Sequence, residues 1–451
     1  MNLPDEFKKM ISFLPGLNID SFLKSMEEKP PVCIRLNKRK SLKDELFEGM
    51  RPVKWCQSAY YLEERPEFIF DPRLHAGAYY VQEPSSTIYE SITEILSKKL
   101  GTGPINVLDA CAAPGGKSTA IINGLPDGSF LWANEYDRKR VGALRENLAK
   151  WGYPNYYVSN YDTSFFSSGE YRFDIVAVDA PCSGEGMMRK DEFAVRQWSR
   201  ELVSGCSRLQ REILENIIKA IKPGGFLIYS TCTFNHEENE GNVEFMVKDL
   251  HLDPVDLSLP KEWGIMSGLD TSYPVLRFMP HATEGEGLFV AVLRKPGEWE
   301  RTPVYNMETI ESAANAKKIS LKDNGGKGRP ADIEGKRGNE RGKKRTRGLE
   351  EERIRKGSKD ISRQKNCDLT EEELTRRILS IDFDKKEIPV VELDKKTSLA
   401  FLRGEAISLG ADCEKGHVVV AYGGLTLGAV KNIGARANNL YPKSWRIRKN
   451  L

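Results

Sequence analysis

The stretch NVLDACAAPGGKST, residues 106–119, decides how this chain folds. Its apolar start is typical of a buried β-strand that ends at Asp109, and its polar end begins a helix. Gly115 and Gly116 lie in the turn between them, where glycine lets the backbone approach a ligand closely. Because the first N–H groups of a helix have no partner inside the helix, this turn predicts a ligand site.

Four further apolar segments share this pattern of a strand that ends in a polar residue. They end at Glu135, Asp162, Asp179 and Thr231. Residues 138–150 and 192–221 separate them with helical apolar spacing, and a late strand over 287–293 closes the domain near residue 295. Near-continuous apolar strands that alternate with helices predict an α/β fold whose parallel sheet is covered on both faces. In such sheets the ligand lies beyond the carboxyl ends of the strands.

Three kinds of cofactor bind at glycine-rich turns, and each requires a different sequence motif. The dinucleotide motif GxGxxG is absent, and the phosphate-binding P-loop requires a glycine where Cys111 stands. The third kind is a nucleoside cofactor without a phosphate chain, such as S-adenosylmethionine. Glu135 favours it, because an acidic residue about 20 positions past such glycines accepts hydrogen bonds from ribose hydroxyls. Asp162 could hold the adenine amino group, and a helix N-cap is the alternative role of either carboxylate.

Two cysteines follow neighbouring strands, Cys182 in DAPCSGEG and Cys232 in STCTF. A lone cysteine is usually a small core residue, which is our interpretation of Cys33, Cys56 and Cys206. Cys182 and Cys232 differ because both lie at carboxyl strand ends, beside the predicted cofactor. A thiolate is a strong nucleophile that also leaves readily, so the two positions indicate covalent catalysis.

The composition excludes several classes of protein. A chain of 451 residues is too long for one core, so two or three domains are expected, and a net charge of +3 does not by itself indicate a nucleic-acid partner. Eight cysteines without a CxxC pair and only five histidines argue against a zinc site, so no metal is expected. No apolar run approaches the roughly 20 residues that span a bilayer. We therefore expect a cytoplasmic monomer with free thiols and no membrane partner.

Changes in composition divide the chain into predicted segments. These are an N-terminal accessory domain at 1–100, the cofactor domain at 101–297, a linker at 298–369 and a C-terminal domain at 370–451. The first has helical spacing around Phe22, a short strand at 32–36 and a helix at 88–100. Residues 321–366 hold 16 Lys and Arg against 8 Asp and Glu, and cannot bury enough apolar surface to fold. They form either a basic linker that touches phosphates or a solvated tether.

The C-terminal segment combines a hairpin with basic charge. Strands at 416–422 and 425–430 flank two glycines, which predicts a β-hairpin. No acidic residue follows Glu414, and the basic residues beyond it alternate with aromatic ones. The aromatic residues are Tyr422, Tyr441 and Trp445. This combination favours contact with RNA phosphates and splayed bases; the alternative is that the rings are core and the charges ordinary surface.

Residues 105–295 resemble the catalytic domain of the NOP/Sun (NSUN) family of RNA cytosine-5 methyltransferases. The matching stretches are DACAAPGGK at 109–117, Glu135, Asp162, DAPCSGEGMMRK at 179–190 and STCTF at 230–234. HAGAYYVQEPSS at 75–86 resembles the family's approach to its cofactor domain. FLRGEAI at 401–407 and ARANNLYPKSWRI at 435–447 resemble the C-terminal module of bacterial members that modify 16S ribosomal RNA. The basic linker has no match.

The resemblance implies a Rossmann-like class I methyltransferase sheet, a mixed N-terminal domain and an α+β, PUA-like C-terminal domain. It implies S-adenosylmethionine as the cofactor and RNA as the partner, either 16S ribosomal RNA or the small ribosomal subunit. It also implies a set of cofactor contacts. These are Cys111, Ala112, Ala113, Pro114, Gly115, Gly116, Lys117, Glu135, Asp162 and Asp179.

The resemblance further implies that Cys232 is the nucleophile and that Cys182 assists release of the covalent adduct. Carbon 5 of cytosine is a poor nucleophile, and attack of a thiolate on carbon 6 makes the ring reactive enough to accept a methyl group. Asp179, near N3 and the exocyclic amine, could stabilise the attacked ring. Lys190 could add positive charge near the base or the thiolate.

Three rival functions differ from this hypothesis at named residues. DNA cytosine-5 methyltransferases place the nucleophile in the Pro-Cys turn, which corresponds to Cys182 here. A non-catalytic RNA-binding factor for ribosome assembly would need neither Cys182 nor Cys232. A transfer RNA methyltransferase would keep both cysteines and differ only in its substrate.

Overall fold

The computed structural model describes residues 3–40, 49–307, 310, 369–386 and 388–449. Most of the predicted linker, residues 311–368 with 308 and 309, lies outside the described residues. The described strands form one sheet of eight strands and two of four. None of the described helices combines the length and the hydropathy that crossing a bilayer requires.

The N-terminal part combines short helices with a small antiparallel sheet. Its elements are α1 (Asp5–Ser12), α2 (Ile19–Glu27), β1 (Val32–Leu36), β2 (Arg51–Val53), β3 (Cys56–Leu62), α3 (Pro72–His75), β4 (Tyr79–Val81) and α4 (Ile88–Lys99). The strands lie in the order β2-β3-β1-β4. The predicted helix around Phe22, the strand at 32–36 and the helix at 88–100 are confirmed. The sequence pattern missed β2, β3 and β4. Strands β2 and β4 have three residues, too few to show a period, and the seven residues of β3 do not alternate between buried and exposed.

The central sheet follows the predicted alternation of strands and helices. Its elements are β5 (Asn106–Asp109), α5 (Gly116–Gly124), β6 (Phe130–Asn134), α6 (Arg138–Trp151), β7 (Tyr156–Ser159), β8 (Phe173–Asp179), α7 (Glu192–Gln197), α8 (Arg200–Ile217), β9 (Ile221–Thr231), α9 (Glu240–Lys248), β10 (Asp253–Pro254), β11 (Val275–Phe278) and β12 (Leu288–Arg294). The strand order is β10-β12-β9-β8-β5-β6-β7, with β11 beside β12. Strands β5 to β9 are parallel, and the late strand β12 is antiparallel to β9.

Burial on both faces explains why these strands read as continuous apolar runs. Every residue of β5 and β6 is buried. The Trp132 ring packs edge-on against Tyr171, with ring centroids 4.9 Å apart, and its indole N–H donates to Ser159 Oγ at 2.8 Å. Because the core holds the parallel strands in register, their carboxyl ends open on one edge of the sheet. The α/β, Rossmann-like fold class is therefore confirmed.

The C-terminal part forms a four-stranded sheet with two helices. Its elements are α10 (Glu371–Leu379), β13 (Val390–Glu392), α11 (Lys395–Leu402), β14 (Gly416–Tyr422), β15 (Leu425–Asn432) and β16 (Ala437–Asn439). The predicted hairpin is confirmed as β14 and β15. The aromatic part of the RNA interpretation is wrong for Tyr441 and Trp445, whose rings are buried in the core, 0% and 5% exposed. Basic residues such as Lys431 and Arg436 are exposed.

Helix α6 joins the three parts of the chain at its carboxyl end. The Asn37 side chain donates to Trp151 O at 2.8 Å, which ties the N-terminal part to α6. Gly152, with φ +78°, accepts a hydrogen bond on its carbonyl from Ile381 N at 2.9 Å. A Cβ at Gly152 would lie 2.2 Å from the carbonyl oxygen of Leu379. The C-terminal part therefore docks on a backbone position that only glycine fits.

Two alanine substitutions in or next to α6 should have opposite effects. Gly152→Ala should lower the free energy of unfolding by about 3 kcal/mol, because the methyl group collides with a backbone carbonyl and strains a positive φ. Gly142→Ala, on the open face of the same helix with no atom within 4 Å, should raise it by about 1 kcal/mol through helix propensity. Urea unfolding of both variants measures the difference, and equal stabilities would contradict the docking described.

Candidate active site

The glycine-rich turn between β5 and α5 is built as the sequence predicts. Gly115 caps α5 with φ +110°, and a Cβ at Gly116 would approach the Tyr80 ring to 3.2 Å. The buried Arg35 guanidinium reaches over from β1 and donates to Gly116 O at 3.3 Å and to Thr119 Oγ1 at 2.6 Å. The N-terminal sheet thus fixes the first turn of α5. A Cβ at Gly115 would lie 3.3 Å from Leu144 Cδ1, so both glycines lie in close contact with neighbouring segments.

Seven of the predicted cofactor residues, 111–117, form this turn together. Ala112 and Ala113 are buried, and Pro114 is exposed. Burial raises the pKa of Cys111 well above its usual value, so this cysteine is a neutral thiol. Residues 111–116 of the turn carry no charged side chain, and Lys117 is the first charged residue after them.

Glu135 lies directly behind the turn, at the carboxyl end of β6. It is 5% exposed, and its carboxylate accepts hydrogen bonds from Ala113 N at 3.2 Å and Asp137 N at 2.8 Å. Arg140 Nη1 lies 3.6 Å from the same carboxylate. The position agrees with a ribose-binding acid, and the two backbone contacts also make Glu135 a brace for the turn.

Asp162 is exposed and caps a short helical turn, in accord with the alternative role considered for it. Its Oδ1 accepts from Ser164 N at 2.9 Å, and the hydrogen bonds from Ser164 lower the pKa of this carboxyl. It is a carboxylate at the strand-end edge of the sheet. Its predicted contact with adenine stays a prediction.

A chain of polar contacts runs from the turn to the cysteine loops. Lys117 Nζ lies 2.8 Å from Asp179 Oδ2, and Ser230 Oγ donates to Asp179 Oδ1 at 2.7 Å. Tyr89 OH lies 2.8 Å from Ser230 Oγ. Burial acts to lower the pKa of Lys117, but the neighbouring Asp179 carboxylate raises it, and the net shift is upward. The ammonium group is therefore charged and held on Asp179.

Asp109, at the end of β5, is a second buried carboxyl next to this chain. Burial raises its pKa to about 7, although Ser118 Oγ donates to it at 2.6 Å. Sequence reasoning did not single out Ser118, Ser230 or Tyr89. Ser230 stands in the STCTF motif and could have been noticed, whereas nothing in the local pattern marks Tyr89.

The structure brings Cys182 and Cys232 together. Their Sγ atoms lie 3.2 Å apart, beyond the carboxyl ends of β8 and β9. Hydrogen bonding to Cys232, together with burial, raises the pKa of Cys182 well above its usual value. Cys182 is therefore a neutral thiol at rest. Cys33 and Cys56 are buried as predicted, and Cys206 is half-buried.

Lys190 lies in the same loop as Cys182 and forms an ion pair with Glu286. Burial raises the pKa of Glu286, and Lys190 opposes that shift. The predicted role of Lys190 near the base stays a prediction. Its observed partner, Glu286, was not recognised from the sequence.

One group of possible metal ligands occurs in the described part of the chain. His236, Glu240 and Asp270 place ligand atoms within 4.8 Å of one another. The Glu240 carboxylate, however, accepts from the buried Arg277 guanidinium on both oxygens. Its charge is already matched, so the group does not point to a metal.

Comparison with known proteins matches three segments to family models. Residues 102–294 match 16S rRNA methyltransferase RsmB/F, residues 3–84 match the N-terminal domain of 16S rRNA methyltransferase RsmF, and residues 388–447 match the methyltransferase RsmF PUA domain. Ribosomal RNA small subunit methyltransferase F of Aeromonas salmonicida is 30% identical over 98% of this chain and 96% of its own length. The relative of the same name from Cronobacter sakazakii is 31% identical over 71% of each chain.

Two solved structures from Pyrococcus horikoshii share the fold. One is a methyltransferase homolog protein, with a TM-score of 0.55 and 24% identity over 65% of this chain and 95% of that chain. The other is NSun6 with SFG, with a TM-score of 0.55 and 20% identity over 65% of this chain and 99% of that chain.

The fold, the glycine-rich turn and the acids at the strand ends together identify the protein as an S-adenosylmethionine-dependent methyltransferase. Within that class, the near full-length match shows that the chain belongs to the family of ribosomal RNA small subunit methyltransferase F.

Cofactor binding should depend on Glu135. Glu135→Gln should raise the dissociation constant of S-adenosylmethionine about tenfold, because a charge-assisted hydrogen bond contributes about 1.5–3 kcal/mol. Isothermal titration measures this, with Asp253→Asn on the exposed edge strand β10 as the matched loss of a carboxylate. Indistinguishable affinities of the two variants would remove Glu135 from the site.

Proposed function

We propose that the chain transfers a methyl group from S-adenosylmethionine to carbon 5 of a cytosine in 16S ribosomal RNA, through a covalent bond to Cys232. The observation that carries the proposal is the 3.2 Å separation of the Cys182 and Cys232 sulfurs. Two thiols separated by so short a distance can act on the same pyrimidine ring, one after the other. Asp179, at the end of β8 and three residues before Cys182, lies 2.8 Å from Lys117 of the glycine-rich turn.

The two thiols would take different parts in the reaction. The Cys232 thiolate forms a bond to carbon 6, and the π electrons of the 5,6 bond move to carbon 5, which becomes nucleophilic. S-adenosylmethionine supplies an electrophilic methyl group there. After methylation, the carbon 5 proton passes to a base, the 5,6 double bond re-forms and the Cys232 sulfur leaves. Cys182, a neutral thiol of raised pKa, stands beside this leaving sulfur and assists release.

Asp179 would hold the base during attack. Both of its oxygens are already oriented, one by Lys117 Nζ and the other by Ser230 Oγ. A carboxylate fixed in this way accepts a hydrogen bond from the exocyclic amine of cytosine. Lys117, which belongs to the cofactor turn, would thereby hold Asp179 in place for the base.

RNA recognition would involve the outer parts of the chain. We propose residues 1–100 and 370–451 as RNA-binding domains around the catalytic domain at 101–297. The exposed basic residues of the C-terminal part support this, and the match of residues 388–447 to a PUA domain is in accord with it. Lys431 and Arg436 lie near the end of β15 and beyond it.

The predicted basic linker at 298–369 differs from the structure at its start. Trp299 Nε1 donates to Asp174 Oδ1 at 2.7 Å and Tyr305 N donates to Asn106 Oδ1 at 2.8 Å, so this part packs on the catalytic domain.

The roles of the two thiols can be separated by substitution. Cys232→Ala should reduce methyl transfer on the order of 10³-fold or more and form no adduct with RNA, because the nucleophile is lost. Cys182→Ala should accumulate a covalent protein–RNA complex on denaturing gels, because attack proceeds and release stalls. Cys413→Ala, in the C-terminal part, serves as control. The reverse behaviour of the first two would assign attack to Cys182, as in DNA cytosine-5 methyltransferases.

The RNA substrate can be identified by bisulfite mapping. A strain lacking the gene should lose 5-methylcytosine at a position of 16S ribosomal RNA, and the wild-type gene should restore it where the Cys232→Ala gene does not. Loss confined to transfer RNA would replace the proposed substrate. A strain with unchanged methylation in both RNAs would support an assembly factor instead.

A further inference from the structure

Two buried carboxylates connect the loops that carry the two cysteines. Glu185 follows Cys182 by three residues and is 0% exposed. Its Oε2 accepts hydrogen bonds from the backbone N–H groups of Phe234 at 2.7 Å and Asn235 at 3.0 Å, which belong to the Cys232 loop. Its Oε1 accepts from Trp198 Nε1 at 3.0 Å.

Glu238 makes the reciprocal connection. It lies six residues after Cys232, is also 0% exposed, and its Oε2 accepts from Ser183 N at 3.0 Å, next to Cys182. Gln210 Nε2 donates to the same oxygen at 2.7 Å and to Pro181 O at 2.9 Å. Each loop thus extends a carboxylate to backbone N–H groups of the other.

The two acids share a further partner, the side chain of Asn235 in the Cys232 loop. Asn235 Nδ2 lies 3.0 Å from Glu185 Oε1 and 2.8 Å from Glu238 Oε1. Direct contacts add to the connection, since Gly186 N donates to Cys232 O at 2.8 Å. We call Glu185, Glu238 and Asn235 the carboxylate clamp.

Burying two carboxylates next to each other costs folding free energy. Neither Glu185 nor Glu238 lies within ion-pair distance of a basic side chain in the described part of the chain, and burial raises the pKa of Glu238. Unpaired buried carboxylates lower stability, and only the surrounding N–H donors offset that cost. Hydrophobic side chains would fill the same space without this desolvation cost. They have no acceptor oxygens, however, and could not bind the N–H groups of both loops.

We infer that the carboxylate clamp, Glu185 and Glu238 acting from opposite loops, sets the distance between the Cys182 and Cys232 sulfurs and thereby the rate of adduct release. The two acids are positioning residues, since they contact the loop backbone and neither sulfur. The inference rests on the proposed function for its kinetic part. Its geometric part, the sulfur separation, stands independently of the reaction.

The rate of disulfide formation between Cys182 and Cys232 tests the effect of the clamp on the sulfur separation, and it needs no substrate. Diamide takes two electrons and two protons from a pair of thiols and leaves a disulfide, at a rate that depends on how often the sulfurs meet. The Cys182–Cys232 disulfide should form about tenfold more slowly in Glu185→Gln and Glu238→Gln than in wild type, because a 1 Å misplacement costs roughly this much or more. Peptide mapping by mass spectrometry distinguishes this disulfide from those of other cysteines.

A matched control removes a buried carboxylate elsewhere. Glu90 on α4 is 1% exposed and bonds Ser58 Oγ at 2.5 Å and Lys38 Nζ at 2.6 Å, away from both cysteine loops. Glu90→Gln should lose stability to a similar degree and keep the wild-type rate of disulfide formation. If all three variants slow the disulfide equally, the clamp has no positioning role.

Adduct kinetics test the functional part. In single turnovers with RNA and S-adenosylmethionine, Glu238→Gln should raise the fraction of enzyme held as covalent adduct about tenfold. In a Cys182→Ala background the same substitution should leave the release rate unchanged, because the residue through which it acts is gone. A further slowing in that background, or a loss of turnover without any accumulated adduct, overturns the inference. If wild type forms no adduct, the proposed function fails and the disulfide rates alone decide the clamp.

Discussion

The parallel pairing of β8 with β9 places Asp179 beside Ser230, and the whole site depends on it. Ala180 N donates to Ser230 O at 2.9 Å, so the pairing holds up to the point where both strands end. The chains then diverge into the two cysteine loops. Because side chains alternate along a strand, a slip of one residue would turn Ser230 away from Asp179 and separate the sulfurs. The apolar core that fixes this register therefore also fixes the chemistry.

Electrostatics at this edge follow from the same geometry. Four of the five parallel strands bring an acid to one side of the sheet, and these acids would repel one another without a compensating charge. Lys117 supplies that charge from the first turn of α5, and its ammonium stays ionised because Asp179 stands 2.8 Å away. Lys117 therefore connects the glycine-rich turn electrostatically to the end of β8, where the Cys182 loop begins.

The parts of this structure that repeat a simple period could be predicted from the sequence. The parallel strands, the glycine-rich turn and the proximity of Cys182 and Cys232 all follow from apolar runs and from where they end. Contacts between distant segments could not. Arg35 looks like an ordinary surface arginine in a strand, and Glu185 like a loop acid, yet both are fully buried. The rings of Tyr441 and Trp445 were misjudged because an aromatic residue among basic ones fits a core as well as an RNA surface.

The hydrogen bonds of Arg35 to the start of α5 restrict how the N-terminal part can be exchanged or altered in sequence. Arg35 Nε donates to Gln82 Oε1 at 2.8 Å, so Arg35 on β1 and Gln82, one residue past β4, together support the backbone of the cofactor turn. The catalytic domain is therefore not structurally independent of the N-terminal part of the chain. A chimera that exchanges the first hundred residues for those of a distant relative would have to carry this arginine–glutamine pair with it. The same restriction applies to natural sequence change. Surface residues of the two parts can change independently, whereas Arg35 and its partners at the start of α5 can change only together.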